Sequence, residues 1–183
     1  MGFTHPVCQR SNGIDGLISI YYYNDTLKSI IKNIKYRLVK EALYELLQNL
    51  NPEILINKLS YFNEKKKDYL FNPLPLHKIR LNERGFNQAE VITDFLAKIS
   101  QMPKINLLER TKSTPSQAQL KSRKLRYLNV HGVFSVKADH TPLSKNIILV
   151  DDLVTTGSTL KAAATVLKKT GVGKVYALTL ARG

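Results

Sequence analysis

A mostly parallel α/β sheet flanked by helices is the fold class that the chain's patterning predicts, and three observations predict it. Asn146 to Val150 reads as a buried strand, its four apolar residues 147–150 forming an unbroken run of the kind that crosses a sheet covered on both faces. A helical spacing follows over 158–170 and is closed by Gly171, and a second, mainly apolar strand occupies 174–180. Strand, helix and strand in that order make a crossover between parallel strands. At 183 residues and 43% hydrophobic content, the chain can bury one good core, so the simplest organisation is a single domain with a helical N-terminal extension. Residues 1–16 are expected to be a poorly ordered segment, and residues 17–183 the domain itself.

Along the chain, Leu27, Ile30, Ile31, Ile34 and Leu38 recur at helical spacing, with Lys28, Lys32, Lys35, Arg37 and Lys40 largely between them. One face of that helix is core and the other is strongly basic. Leu43, Leu46, Leu47 and Leu50 continue a helical pattern until Asn51-Pro52 breaks it. A short apolar set over 54–62 ends in Glu64-Lys-Lys-Lys-Asp68, which reads as a solvated turn. Residues 69–76 read as an extended segment leaving the sheet, because each proline pushes its predecessor out of the helical region. Val91, Ile92, Phe95, Leu96 and Ile99 mark one apolar helix face between Asn87 and Gln101, stopped by Pro103. Residues 130–136 alternate as a strand does.

Charge narrows the partners. The 28 lysines and arginines outnumber 14 acids, a formal net charge of +14, which favours a polyanion such as nucleic acid or a phosphorylated ligand over a generally basic, solvated surface. The longest apolar runs fall far short of the roughly 20 residues that span a bilayer, and the N-terminus lacks the basic-then-apolar order of a secretory signal. A single cysteine, Cys8, forbids an internal disulfide framework. A soluble cytoplasmic protein without membrane insertion is therefore expected.

The most informative stretch is Ile147-Ile-Leu-Val-Asp151-Asp152-Leu-Val-Thr155-Thr156-Gly157-Ser158-Thr159. An apolar strand gives way to two carboxylates and then to small hydroxyl residues at the mouth of a helix, at the strand end where open α/β sheets bind ligands. Helix-terminal N–H groups and the hydroxyls of Thr155, Thr156, Ser158 and Thr159 suit a phosphate, and Gly157 lets the backbone turn closely around it. Asp151 and Asp152 accept hydrogen bonds when ionised, so they can grip a vicinal diol or neighbour a magnesium ion held mainly by pyrophosphate oxygens and water. The plain alternative is a buried strand whose aspartates cap the next helix, but capping needs one carboxylate and no hydroxyl cluster. Two other phosphate motifs are excluded: a Walker loop ending at Gly173-Lys174 would need glycine where Lys168 stands, and a dinucleotide fingerprint from Gly171 would need glycine where Tyr176 stands.

A second constellation, Pro73-Leu-Pro75-Leu-His77-Lys78-Ile-Arg80-Leu-Asn-Glu-Arg84-Gly85-Phe86-Asn87-Gln88, delivers cations and a glycine to the mouth of the next helix. His77, Lys78, Arg80, Arg84 and Gly85 are its candidate pyrophosphate residues. The two arginines offer planar donor forks matched to phosphate, whereas lysine is a point charge. The alternative is a loop leading into a helix, with arginines that pair with nearby acids. A third stretch, 104–127, is basic and rich in Ser and Gln, with Arg110, Lys112, Gln117, Lys121, Arg123 and Arg126 as candidates either to close over a sugar phosphate or to follow a DNA backbone. A solvated connector explains it equally well.

Residues 151–159 resemble the signature of type I phosphoribosyltransferases, in which the acidic pair holds the ribose hydroxyls of phosphoribosyl pyrophosphate (PRPP) and the following loop its 5′-phosphate. Together with Pro73-Leu-Pro-Leu-His77, Arg84-Gly-Phe-Asn-Gln88, Arg110 with Gln117 and Gln119, and Arg123 followed by Asn129-Val130, the chain resembles the ComF family over about residues 17–182. The resemblance implies a type I phosphoribosyltransferase-like fold, PRPP with magnesium as ligand, and a part in natural competence, handling incoming single-stranded DNA at the inner face of the membrane beside the uptake machinery. Family members commonly begin with a four-cysteine zinc module, whereas here His5-Pro-Val-Cys8 stands where its last pair would sit. Two ligands cannot close a structural zinc site, so no zinc is expected at His5 and Cys8, the module being lost or the chain truncated.

Three functions use these residues differently. A DNA-handling competence protein would use the pocket for binding or regulation, with basic side chains on phosphates and aromatics such as Tyr36 or Tyr127 stacking bases. A working phosphoribosyltransferase would move ribose 5-phosphate from PRPP to a nitrogen nucleophile. A PRPP-sensing nucleic-acid regulator would share the pocket, yet no DNA-reading helix is recognisable.

Overall fold

A computed structural model describes residues 13–22, 40–113, 132–137 and 145–183. Among them, β1 (Gly16–Tyr22), β2 (Tyr69–Pro73), β5 (Asn146–Val154) and β6 (Val175–Arg182) form a parallel sheet in the order β1-β6-β5-β2. Two shorter strands, β3 (Leu108–Arg110) and β4 (Phe134–Val136), pair antiparallel beside it. The helices are α1 (Lys40–Gln48), α2 (Pro52–Asn63), α3 (Lys78–Arg84), α4 (Gln88–Ser100) and α5 (Ser158–Lys168). This is the parallel α/β arrangement expected from the strand–helix–strand order of 146–180. The basic helix expected over 27–38 lies outside the described residues.

Both faces of the sheet are covered, which is why β5 reads as a continuous apolar run. Ile148 and Val150 join Leu178 and Leu180 under Leu43 and Leu47 of α1, Leu55, Leu59 and Phe62 of α2, and Val91, Ile92 and Leu96 of α4. Their strand neighbours Ile147 and Leu149 point the other way, with Val175 and Ala177, onto Leu160, Ala163, Ala164 and Leu167 of α5. Period-two alternation thus feeds two separate cores from one strand. Leu107, Leu108, Val133 and Phe134 of the β3–β4 ribbon extend the second core.

Local signals set the boundaries. Asn51 caps α2 through its side chain, which accepts from the Glu53 N–H at 2.9 Å, with Pro52 at the first helical position where a missing donor costs nothing. Asn87 caps α4 by accepting from the Ala89 N–H at 3.1 Å, and Gln101, at φ 60°, ends it in the left-handed conformation.

Three elements differ from the reading of the sequence. Residues 69–73 do not leave the sheet: they are its edge strand, paired in parallel with Asn146–Val150. Proline is tolerated at Pro73 because it closes an edge strand, and the chain turns away only beyond it. The stretch read as a loop after His77 contains α3, and the one read as a mobile connector contains β3. The charged run before β2 is a single 3-10 turn over Lys66–Asp68 with every residue exposed, in keeping with a solvated turn.

Asn72 fastens the ribbon to the sheet. It is fully buried; its Oδ1 accepts from the Leu107 N–H at 2.7 Å and its Nδ2 donates to the Pro73 carbonyl at 2.8 Å. Asn72→Ala orphans both backbone groups and is expected to cost about 2 kcal/mol in urea unfolding, since a buried group left unsatisfied carries its full desolvation penalty. A loss below about 0.5 kcal/mol would mean that the apolar contacts and the backbone bonds of Phe71 with Pro103 and Ile105 hold the ribbon without it.

Candidate functional site

The carboxyl ends of β2 and β5 lie side by side, the Leu74 N–H donating to the Val150 carbonyl at 2.9 Å. From β2 the chain continues into α4 on one face, and from β5 into α5 on the opposite face. Adjacent strands whose helices diverge to opposite faces open a crevice at their carboxyl ends, the switch point where such sheets bind ligands.

The acidic pair stands at that crevice. β5 runs on through both aspartates to Val154, with Asp151 in register with Thr179 on β6. Asp152 is buried at 8% exposure and Asp151 is half-buried; the Asp152 N–H donates to Asp151 Oδ1 at 2.9 Å, which fixes one carboxylate rotamer. Beyond Val154 the chain turns through Thr155 and Thr156 into Gly157, at φ 71°, which precedes α5. No side chain caps α5 among the described residues. Its first turn instead meets hydroxyls, with Thr156 Oγ1 and Ser158 Oγ 2.8 Å apart and the Ser158 N–H on Thr156 Oγ1 at 3.4 Å. An N-terminus with hydroxyls but no acidic cap is suited to an external anion.

Gly157 is needed for its backbone rather than for room: a Cβ there would meet only Val154 Cγ2 at 3.9 Å, yet φ 71° disfavours any L side chain. Gly157→Ala is therefore expected to cost about 1 kcal/mol in thermal unfolding, and a neutral or stabilising result would show that the loop relaxes to negative φ.

The predicted pyrophosphate residues divide by role. His77 caps α3, its Nδ1 accepting from the Ile79 N–H at 3.3 Å, and Gly85, at φ 71°, ends the same helix by donating to the Leu81 carbonyl at 2.8 Å. These two shape the loop. Lys78 is exposed, while Arg80 and Arg84 are half-buried, with Arg84 Nη1 donating to Gln88 Oε1 at 3.2 Å. Asn87 holds the whole turn to the strand end, its Nδ2 donating to the Leu74 carbonyl at 3.0 Å.

Arg110 is brought to this group from far along the chain. It sits on β3, opposite Phe134 of β4, with its guanidinium carbon 5.6 Å from the centre of the Phe134 ring. Burial pushes its guanidinium down to about 10; Arg80 and Arg84 push the same way, while Asp151 opposes them. Three arginines thus share one neighbourhood with an aspartate of the acidic pair. Lys112 is exposed beyond the end of β3, and Gln117, Lys121, Arg123, Arg126, His5 and Cys8 lie outside the described residues.

Gln88, which ends the second constellation without being one of its candidate pyrophosphate residues, positions Arg84. It is 3% exposed, its Oε1 orients Arg84, and its buried Nε2 has no hydrogen-bond partner among the described residues. A polar residue in the first turn of a helix reads as solvent-facing, and only the turn of α3 onto α4 buries it.

Among the described residues, no cluster of three or more His, Cys, Asp or Glu side chains could hold a metal, and no helix is long and apolar enough to cross a membrane. Two adjacent carboxylates suit a magnesium that arrives with a pyrophosphate and keeps its water, rather than a resident ion in a protein cage.

Comparison with known proteins agrees with the fold. Residues 79–183 match the phosphoribosyl transferase domain family. The chain is 33% identical to competence protein ComFC of Bacillus subtilis (strain 168), the match covering 97% of this chain and 73% of that protein. It is 29% identical to competence protein F of Haemophilus influenzae, over 92% of this chain and 73% of that one. It is also 28% identical to the DNA utilization protein YhgH of Salmonella typhimurium, over 91% and 71% respectively. With a domain match over more than half of its residues and a relative one-third identical along nearly its whole length, the chain belongs to the ComF family of competence proteins, built on a phosphoribosyl transferase domain.

Proposed function

We propose that this protein binds PRPP with magnesium in the crevice between β2 and β5 and handles single-stranded DNA on the cytoplasmic side of the competence uptake machinery. The observation that carries the reading is the crevice itself, where Asp151 and Asp152 and the hydroxyl-lined turn into α5 stand at the end of β5 beside the carboxyl end of β2, with Arg80 and Arg84 on α3 beyond β2 and both acting on the half-buried Arg110. Like charges brought together and partly desolvated repel one another, and a pyrophosphate lying among them relieves that cost while its ribose faces the carboxylates. In this arrangement Asp151 and Asp152 hold the ribose diol, and Thr155, Thr156, Gly157, Ser158 and Thr159 with the first turn of α5 hold the 5′-phosphate. Arg80, Arg84 and Arg110 hold the pyrophosphate. Magnesium bound with PRPP supplies further neutralisation of the pyrophosphate oxygens. The names of the competence and DNA utilization relatives support the DNA role, as does a net charge of +14.

Titration calorimetry with magnesium and PRPP, alongside fluorescence anisotropy of a labelled single-stranded oligonucleotide at low salt, tests both halves. The PRPP half fails if no heat is seen at millimolar ligand, and the DNA half fails if anisotropy does not rise at low salt.

The same cation cluster favours a second reading, transfer of the ribose 5-phosphate unit. There the C1′–O bond breaks with its electron pair leaving on pyrophosphate, and the lone pair of a nitrogen nucleophile forms the new C1′–N bond as its proton passes to water. The protein contributes orientation and charge stabilisation. Release of pyrophosphate on adding a nitrogenous base is the expected signal, and its absence across purines, pyrimidines and simple amines would leave a binding protein.

A further inference from the structure

The opposite end of the sheet gathers lysines from three segments of the chain. Because β2, β5 and β6 are parallel, the segments that precede them come together at one edge. Lys145 Nζ donates to the Lys67 carbonyl at 2.9 Å, the Gly173 N–H donates to the Lys145 carbonyl at 2.9 Å, and the Lys174 N–H donates to Asn146 Oδ1 at 2.8 Å. These bonds tie the turn before β2 to the starts of β5 and β6, so that Lys65, Lys66, Lys67, Lys145 and Lys174 share one rim. Lys65, Lys66, Lys67 and Lys174 are exposed. Glu64 and Asp68 flank the lysine run, and Asp15, before β1, lies 2.9 Å from Lys168.

An independent observation adds aromatics to that rim. Tyr69 opens β2, Tyr176 is the second residue of β6, and Tyr61 reaches them from α2, its hydroxyl 3.0 Å from that of Tyr176. The rings of Tyr61 and Tyr176 lie 5.8 Å apart, and that of Phe62 packs edge-on against Tyr61 at 5.3 Å. Tyr69 and Tyr176 are buried, but Tyr61 is 45% exposed. Its ring is held by these contacts and by its hydroxyl, so ordering it for a ligand costs little entropy.

We propose that this rim is where the protein holds single-stranded DNA, the lysines lying along the phosphates and Tyr61 offering its open face to a base. The inference rests on the DNA-handling reading above and adds its location. A single strand fits better than a duplex, because stacking on a side chain needs a base that is not already between two others. The rim stands at the far end of β5 from the acidic pair: five residues separate Asn146 from Asp151, about 17 Å of strand. DNA and PRPP therefore occupy opposite ends of the same sheet and do not compete.

The test is anisotropy of a labelled oligothymidylate with the wild-type chain, with Lys65→Gln/Lys67→Gln/Lys174→Gln, and with Tyr61→Leu, each variant first checked by thermal melting. The triple variant is expected to bind about tenfold or more weakly and to shallow the salt dependence by roughly 2 in log–log slope, at about 0.7 for each phosphate that a lysine no longer neutralises. Tyr61→Leu is expected to weaken binding about tenfold with the slope unchanged, because stacking releases no counterions. Saturating PRPP with magnesium should leave the wild-type anisotropy where it was. If wild-type protein binds the oligonucleotide and both variants match it, or if PRPP displaces it, the rim is not the site although the DNA reading stands. If wild-type protein does not bind at all, the DNA reading falls and the rim with it.

Discussion

Asp151→Asn combined with Asp152→Asn is expected to weaken PRPP binding by about 100-fold or more while leaving the far-ultraviolet spectrum of the protein unchanged. Each carboxylate that grips a ribose hydroxyl makes a charge-assisted hydrogen bond, and losing the charge at two such positions is worth about 3 kcal/mol, or roughly two decades in affinity. Asparagine keeps the shape of each side chain, and β5 is held by its backbone ladder to β2 and β6 and by Ile147, Ile148, Leu149 and Val150, all fully buried. The fold therefore does not depend on the two charges. Titration calorimetry reads the effect directly, and an affinity within threefold of wild type would remove the acidic pair from the ligand site.

The largest stability effect is expected at Phe62. It is fully buried where α2 crosses the amino end of the sheet, and its ring stands edge-on to Tyr61, Tyr69 and Tyr176 at 5.3, 4.9 and 5.2 Å. Phe62→Ala removes the ring that these three tyrosines share and leaves a cavity beneath them. The expected cost is about 4 kcal/mol, a large part of the roughly 5–15 kcal/mol that holds a domain together. Chemical denaturation measures it, and a loss under about 1.5 kcal/mol would mean that the tyrosines collapse into the space. Because the same rings set the orientation of Tyr61, the variant should also weaken oligonucleotide binding more than PRPP binding.

What the sequence discloses follows from the range over which each signal acts. β5 and α5 are legible because a buried parallel strand and an alanine-rich helix announce themselves through nearest neighbours, and the change from Val150 to Asp151 falls at the crevice. α4 is legible from Asn87 to Gln101 because both caps are encoded in single residues. β2 misleads, since Pro73 and Pro75 argue against a strand until it is known that Tyr69–Pro73 lies at an edge. α3 escapes notice because seven residues without a buried side chain carry no amphipathic period. β3 escapes it because three residues are too few to alternate, and its pairing with Phe134–Val136 joins positions more than twenty residues apart.

The site follows the same logic. Asp151 to Thr159 are contiguous, so the sequence alone brings them together, and Arg80 and Arg84 lie one helical turn apart. Arg110 reads as part of a basic loop because charge density over 104–127 is the only local signal there. Its place within reach of Arg80, Arg84 and Asp151 follows from the bonds that join residues 103–107 to β2, Phe71 with Pro103 and Ile105 and Asn72 with Leu107. The lysine rim is invisible for the same reason: Lys67, Lys145 and Lys174 are neighbours only because three strands begin at one edge.

On the function proposed above, the crevice between β2 and β5 recognises both ends of PRPP. The most direct measurement is titration calorimetry of the wild-type chain, in magnesium, with PRPP, ribose 5-phosphate and inorganic pyrophosphate in parallel. Measurable binding of each fragment, with PRPP tighter than either by tenfold or more, is the expected result, since the acidic pair and hydroxyl loop would hold one part and the three arginines the other. Equal affinity for PRPP and pyrophosphate would contradict it, leaving a general polyanion site in which Asp151 and Asp152 take no part.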